Sequence, residues 1–308
     1  MKNFFCIFIL IISILSCARR LKASKEFRDS LEEIQFDWKG EERRALVFDP
    51  KFSKKQPILF VLHGGGGKPE TTIGIDNEYF LKAAKQYGIV IVYPQGNDKK
   101  WNDFRNDPNK SKIKERDDVG FIKELLLKLI STKLIDENKV FLTGISNGGM
   151  MSFRLACESS QTFKEVFPIT ANMPLNSDLL CKPETAVSIT IFNGTDDPLV
   201  PYQGGSVKVL GKSHGEVIST EDSIQFWAEK DNCKSKNVKE LSKKFTEDNT
   251  KIFHHKWECN SKRIELFEIR GGGHTWPGGI QFLPEMMVGI TSKEINASQI
   301  IIDRILER

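Results

Sequence analysis

The stretch "VFLTGISNGGMM" holds Ser146 between Gly144 and Gly148. A serine hydroxyl is too weakly acidic to attack a carbonyl unaided, so such chemistry needs a histidine to take its proton and a carboxylate to orient that histidine. The chain has 5 histidines. One of them, His274, follows "RIELFEIRGGG" near the C-terminus, and the run "SITIFNG" ends in "TDDPLVP", which offers Asp196 or Asp197 as the acid. Charge developing on a substrate oxygen would need backbone N–H donors. His63 opens "HGGGG" directly after an apolar run, so Gly64 or Gly65 is the expected donor there, with His63 structural. Asn147, the residue after the serine, is the expected second donor. The simpler alternative is a helix N-terminus capped by Ser146 or Asn147, beside a flexible glycine turn.

These residues need elements to hold them. Val140 to Leu142 is a short β-like run, whereas Met150, Met151, Phe153, Leu155 and Ala156 suit a helix with one buried face. Ser146 therefore sits where the period switches from strand to helix. A sharp turn there projects a serine, and small flanking residues let neighbouring backbone approach it. "RALVF", "PILFVLHG", "IVIVYPQG", "KVFLTG", "VFPITAN", "VSITIFNGT" and "RIELFEIRGGGH" read as strands. "YFLKAAKQYG", "DDVGFIKELLLKLISTKL", "TEDSIQFWAEKDNC" and "ASQIIIDRILER" read as helices. Short apolar strands alternating with helices predict an α/β class with a mostly parallel central sheet and helices on both faces; the order of the candidate catalytic residues, not the alternation, narrows that class to the α/β-hydrolase fold. The chain order Ser146, Asp, His274 is that of the triad on this fold. Functional residues then belong in loops at the carboxyl ends of the strands.

Composition narrows the function classes. A chain of 308 residues, 39% hydrophobic and 28% charged, can bury a full core within one large domain. Lys+Arg 45 against Asp+Glu 41 leaves a net charge of only +4, with the lysines scattered, so nucleic-acid binding gains no support. "MKNFFCIFILIISILSCARR" has one lysine and then an apolar run from Phe4 to Leu15, which reads as an export signal too short for a comfortable membrane span. "ILSC", ending at Cys17, resembles a lipobox in which Cys17 takes lipid and becomes the mature N-terminus. Residues 1–17 are thus expected to be a signal peptide of the lipoprotein type, 18–39 a charged tether and 40–308 the catalytic domain. The protein is expected to be exported, extracellular or anchored in an outer membrane, with that lipid as its membrane contact. Cys157, Cys181, Cys233 and Cys259 then favour two disulfides, and neighbours along the chain form the simplest pairing. A zinc site from His254, His255 and Cys259 lacks the local spacing for a full ligand set. "GGGGKP" fails the P-loop pattern, with Pro69 where Ser or Thr is needed.

"LHGGGG", "VYPQG", "WND", "DDVGFI", "GISNGGMM", "NGTDDPLVPY" and "GGGHTWPGG" occur in order from about Gln56 onward. Together they resemble the secreted polyhydroxybutyrate depolymerase and feruloyl esterase group of the α/β-hydrolases. The resemblance implies a serine esterase with the triad Ser146, Asp197 and His274, because the acid of the group's pattern aligns with Asp197 and Asp196 fills a variable place. Asn193 stands where the group often has a non-catalytic histidine. Trp101, Asn102 and Trp276 match the group's motifs and are expected to contact substrate, the two tryptophans as apolar walls for an acyl or aryl group. Asp117 and Asp118 open a helix, where carboxylates favour the N-terminal end. No cofactor and no metal is implied. The expected partner is a small or oligomeric ester, feruloyl or acetyl first and hydroxybutyrate oligomers second, rather than solid polyester, since no segment is left to form a polymer-adsorbing module. The reading from another class is a surface-binding lipoprotein that keeps the fold without turnover.

Overall fold

A computed structural model of the chain describes residues 23–108, 116–241 and 247–307; Cys17 and the expected signal peptide lie outside them. Ten strands form one sheet: β1 (Glu32–Trp38), β2 (Glu41–Phe48), β3 (Gln56–Leu62), β4 (Val90–Pro94), β5 (Ile135–Ile145), β6 (Glu165–Ile169), β7 (Ser188–Gly194), β10 (Ser235–Glu240), β11 (Lys251–Glu258) and β12 (Ile264–Arg270). Strands β8 (Gly205–Val209) and β9 (Lys212–Val217) make a separate hairpin. The helices are α1 (Lys25–Arg28), α2 (Pro69–Ile75), α3 (Tyr79–Tyr87), α4 (Asp118–Thr132), α5 (Asn147–Glu158), α6 (Ser177–Leu180), α7 (Thr220–Lys230), α8 (Glu285–Val288) and α9 (Ala297–Ile305).

Strand β3 shows why the sheet is covered on both faces. Ile58, Phe60 and Leu62 point into one apolar cluster, Leu59 and Val61 into another, so either face left open would expose hydrocarbon to water. Helices α4, α5 and α7 close the first face with Phe121, Leu125, Met150 and Trp227. Helices α3 and α9 close the second with Phe80, Leu81, Ile301 and Ile302. The sheet order is β1-β2-β4-β3-β5-β6-β7-β12-β11-β10. The run from β4 to β12 is parallel, and an antiparallel pair flanks it on each side. Parallel strands present their carboxyl ends on one side, so the loops after β3, β5, β7 and β12 meet there.

The segment expected to be a charged tether differs from that reading. From Ala23 onward it belongs to the fold: Ala23 and Phe27 are buried, Phe27 meets Phe48 edge-on at 5.8 Å, and β1 pairs antiparallel with β2. In β1, Ile34, Phe36 and Trp38 pack against the core and alternate with polar residues facing solvent. That is the period of an edge strand covered on one side. Strand β10 is exposed along its whole length and carries Lys236, Lys239 and Glu240, charges that discourage pairing with a second chain.

The cysteines pair as neighbours along the chain. Cys157 at the end of α5 joins Cys181 just after α6, and Cys233 after α7 joins Cys259 after β11. The bonded residues are separated by 24 and 26 positions. Loops of this size restrict the unfolded chain by about 3 kcal/mol each. Non-reducing peptide mapping should recover these two pairs with no free thiol among the four, and replacing either pair by serine should lower the urea unfolding free energy by about that amount.

Candidate active site

The turn from β5 into α5 is tightly constrained. Ser146 has φ 57° and ψ −122°, a conformation that a side-chain-bearing residue keeps only when its surroundings enforce it. Its N–H donates to the carbonyl of Ile169 and its carbonyl accepts from the N–H of Met150, both at 2.9 Å. The flanking glycines are required by contact. A Cβ on Gly148 would lie 2.5 Å from the carbonyl oxygens of both Leu62 and His63, and one on Gly144 would lie 2.5 Å from the backbone of Gly148. A Cβ on Gly149 would fall 2.6 Å from that of Ala171. The first turn of α5 therefore rests directly on the end of β3, with Ser146 partly exposed between buried neighbours.

Two carboxylates follow β7, and their environments separate them. Asp197 accepts the N–H groups of Leu199 and Val200 at its Oδ1, each at 2.8 Å, and meets Nδ1 of His274 with its Oδ2 at 2.7 Å. The side chains of His274 and Asp197 are only 6% and 2% exposed. Asp196 is exposed and accepts the hydroxyl of Thr195. A carboxylate only accepts, so Nδ1 of His274 carries a proton, and in the neutral ring it is Nε2 that has the free lone pair. No hydrogen bond joins Ser146 to His274 among the described residues; in sites of this kind it commonly tightens with substrate in place. The loop bearing His274 is held by the carbonyl of Val288, which accepts the His274 N–H, and by that of Ile290, which accepts the Gly273 N–H.

Gly64 and Gly65 lie beside this turn. A Cβ on Gly64 would be 3.5 Å from that of Ser146, and one on Gly65 would be 3.7 Å from that of Asn147. The N–H of Gly66 donates to Lys99 at 2.8 Å and that of Gly67 to Gly64 at 3.0 Å. The N–H groups of Gly64 and Gly65 have no backbone acceptor among the described residues. That of Asn147 opens α5, where no intrahelical acceptor exists. Three donors thus remain around the Ser146 turn.

His63 is a buried brace for the loop. Its Nε2 accepts the Gly96 N–H at 2.9 Å and its Nδ1 donates to the Gly64 carbonyl at 2.8 Å, which requires the neutral ring. Burial disfavours its cation and lowers its pKa to about 4. The side-chain amide of Asn147 accepts from the Trp101 N–H at 2.8 Å, donates to the Trp101 carbonyl at 3.1 Å and donates to Asp103 at 2.5 Å. Asp103 in turn pairs with Arg105 at 2.7 Å. Asp103, the last residue of "WND", received no role in the sequence reading, and Arg105 went unread there.

The expected substrate walls are a correction. Trp101 and Trp276 are fully buried: the Trp101 indole N–H donates to the His63 carbonyl at 2.9 Å, and that of Trp276 donates to the Ser298 hydroxyl at 2.9 Å. An indole with an internal acceptor is stable in the core, so both rings support loops and leave no face for an acyl group. Asn102 is also largely buried, its amide on the Arg116 carbonyl at 2.9 Å and its N–H on Asp118 at 2.7 Å, which makes it a loop tie. Asp117 caps α4 by accepting the Gly120 N–H at 2.8 Å. Asp118 instead forms a wholly buried ion pair with Arg43 at 2.6 Å. Asn193 donates to Ala171, Asn172 and Thr220. Asp231, Cys233 and Cys259 cluster closely enough for an ion, but the two sulfurs are bonded to each other and offer no thiolate. His254 and His255 pair with Glu265 and Glu268.

The family described as phospholipase/carboxylesterase matches residues 45–223. NocK of Nocardia uniformis subsp. tsuyamanensis, assigned as an esterase, is 26% identical over 274 residues, 83% of this chain and 76% of that protein. Feruloyl esterase C of Emericella nidulans is 28% identical over 161 residues, 51% of this chain and 54% of that protein. The chain thus spans about half the length of the feruloyl esterase it matches. The acetyl xylan esterase from Aspergillus awamori superposes with a TM-score of 0.54 at 14% identity, covering 79% of this chain and 94% of that one, a likeness of fold.

The contacts around the turn set two expectations. Gly148→Ala should destabilise the protein by about 3 kcal/mol through backbone overlap, whereas Gly65→Ala should change its unfolding midpoint little, as urea titrations of the two variants will show. His63 protonates more readily unfolded, near its ordinary 6.5, than folded, at about 4. Its contribution is therefore full above pH 6.5 and is lost as pH falls through about 4, on the order of 3 kcal/mol in all. In proton NMR of the folded protein, the His63 ring should stay neutral at pH 5.5.

Proposed function

Because the chain belongs to the phospholipase/carboxylesterase family of α/β-hydrolases, we propose that it is an exported serine esterase working through an acyl-enzyme on Ser146. What supports this most is the 2.7 Å contact between His274 Nδ1 and Asp197, made at the same end of the sheet as the strained serine. In this reading Nε2 of His274 takes the Ser146 proton as the hydroxyl oxygen attacks the ester carbonyl. The carbonyl electrons move onto oxygen, and the N–H of Asn147 with that of Gly64 or Gly65 stabilises the resulting anion. The tetrahedral species collapses, the C–O bond to the alcohol breaks, and His274 returns its proton to the departing alkoxide. Water then repeats the sequence on the acyl-serine and releases acid. Asp197 keeps the imidazole in the right tautomer and stabilises its cation throughout.

The substrate class we infer is a small or oligomeric ester, with feruloyl or acetyl groups ahead of hydroxybutyrate oligomers and solid polyester. The likeness to a feruloyl esterase supports it; the tryptophan walls no longer do. Export is supported by the Phe4–Leu15 run and by two disulfides, which persist in oxidising compartments. Cys17 is the proposed lipid attachment.

Ser146→Ala should abolish hydrolysis of a p-nitrophenyl ester and labelling by a fluorophosphonate while leaving the fold intact. Asp197→Asn should lower kcat by about 10³-fold or more, and Asp196→Asn by little; the reverse ranking would reassign the acid. Initial rates on methyl ferulate, an acetylated xylo-oligosaccharide, a hydroxybutyrate trimer and a polyhydroxybutyrate film discriminate the substrates. Rapid clearing of the film with little action on soluble esters would reject the substrate class.

A further inference from the structure

We propose that Asp76 is a positioning residue for the proposed base, holding the His274 loop through Ser298 and Trp276. The inference rests on the reading of His274 as the base and deepens it.

Asp76 follows α2 and is almost wholly enclosed. Its Oδ2 accepts the Phe80 N–H at 3.0 Å and the Ser298 hydroxyl at 3.1 Å. The Ser298 oxygen accepts the Trp276 indole N–H at 2.9 Å, and Trp276 lies two residues beyond His274. The direction of this chain is set by chemistry. An indole nitrogen can only donate, so the Ser298 oxygen must face Trp276 and its proton must go elsewhere. Asp76 supplies the acceptor. Without it the hydroxyl is free to rotate and the indole loses an oriented partner.

Backbone contacts run beside the side-chain chain. The Ile280 N–H donates to the Ile75 carbonyl at 3.0 Å, Gly279 packs too tightly on that carbonyl for a Cβ, and the Trp276 ring meets Phe80 edge-on at 5.8 Å. The Ala297 N–H donates to the Pro277 carbonyl at 3.0 Å. Residues 276–280 are thus clamped between the α2–α3 turn and α9, with His274 just ahead of the clamp.

A simple helix cap would not need this residue. Ser or Asn caps as well as Asp, without burying a carboxyl. Here Oδ1 of Asp76 and the Tyr93 phenol are both buried without a hydrogen-bond partner among the described residues, a destabilising arrangement. Burial pushes the Asp76 pKa up to about 7 against the Phe80 N–H, the Ser298 hydroxyl, the Tyr79 N–H and Lys82, which all lower it; burial first, then the charges of Asp76 and Glu78, raise that of Tyr93. Tyr79 also feels the Asp76 charge. The satisfied oxygen, Oδ2, is the one that leads through Ser298 and Trp276 toward the His274 loop.

The test compares kcat and KM on p-nitrophenyl acetate, with melting temperatures, for wild type, Asp76→Ala, Asp76→Asn, Ser298→Ala, Trp276→Phe and the double variant Asp76→Ala/Ser298→Ala. Asp76→Ala, Ser298→Ala and Trp276→Phe should each lower kcat about tenfold or more with KM within about twofold, since a base displaced by a fraction of an ångström slows chemistry before binding. Asp76→Asn keeps an acceptor oxygen and should restore kcat to within about threefold of wild type. The double variant should be no slower than the worse single variant, because both break one chain. If Asp76→Ala does not fold, Ser298→Ala, Trp276→Phe and their combination decide by the same criteria. Unchanged kcat in the single variants, losses that multiply, or an Asp76→Asn as slow as Asp76→Ala would overturn the inference while leaving the esterase reading intact. An inactive wild type would overturn both.

Discussion

The contact between the end of β3 and the first turn of α5 governs the site. Gly148 lies against the carbonyls of Leu62 and His63, and Gly144 against Gly148, at distances no larger residue could keep. A non-glycine residue held at φ 57° and ψ −122° costs about 1–3 kcal/mol, so Ser146 keeps that conformation only because the backbone around it has no other way to pack. The same contact brings Gly64 and Gly65 alongside Ser146 and Asn147. The proposed nucleophile position and the N–H groups proposed to face the anion thus come from one packing event.

Beneath that surface the protein spends several buried polar groups on holding loops. His63 braces the Gly64 turn, Asn147 joins α5 to the backbone of Trp101, and the buried Arg43–Asp118 pair receives the Asn102 N–H. Hydrogen bonding satisfies most of these groups, which is the condition for polar atoms to be tolerated in a core. The Arg43–Asp118 pair adds little net stability against an apolar alternative, since desolvation offsets its attraction. Its value here is orientation: one carboxylate fixes both the β2 side chain and the loop that leads to Trp101.

Burial acts on two ionisable groups in opposite pH senses. His63 is held neutral down to about 4, so its contribution fades on acidification from 6.5. Asp76 is raised from 3.8 to about 7, so the folded state is favoured by its protonated form and loses that advantage as pH rises through the same interval. Between roughly pH 4 and 6.5 the two slopes oppose each other. His63 donates to the Gly64 carbonyl and Asp76 accepts the Ser298 hydroxyl, so the two groups tie different loops. A flat stability profile over that range can therefore conceal two sizeable terms of opposite sign.

The chain by itself determined the α/β layering, because runs such as Ile58 to Leu62 are apolar at every position and must be covered twice. It also determined the strand-to-helix switch at Ser146, since a change of period and two flanking glycines are local properties. The disulfide partners were legible as neighbours in sequence, and these are the pairs observed. The edge strand β1 was hidden because its apolar residues alternate with charges, and composition alone made it look like a tether. Strand period and order left Asp196 and Asp197 open, and the resemblance pointed to Asp197; the tertiary structure supplies the physical difference, because the turn at Leu199 and Val200 directs Asp197 toward His274. It also moved Trp101 and Trp276 from expected walls to core supports. Their roles depend on the distant His63 carbonyl and Ser298 hydroxyl, acceptors that sequence spacing cannot reveal because the fold alone brings them within hydrogen-bonding reach.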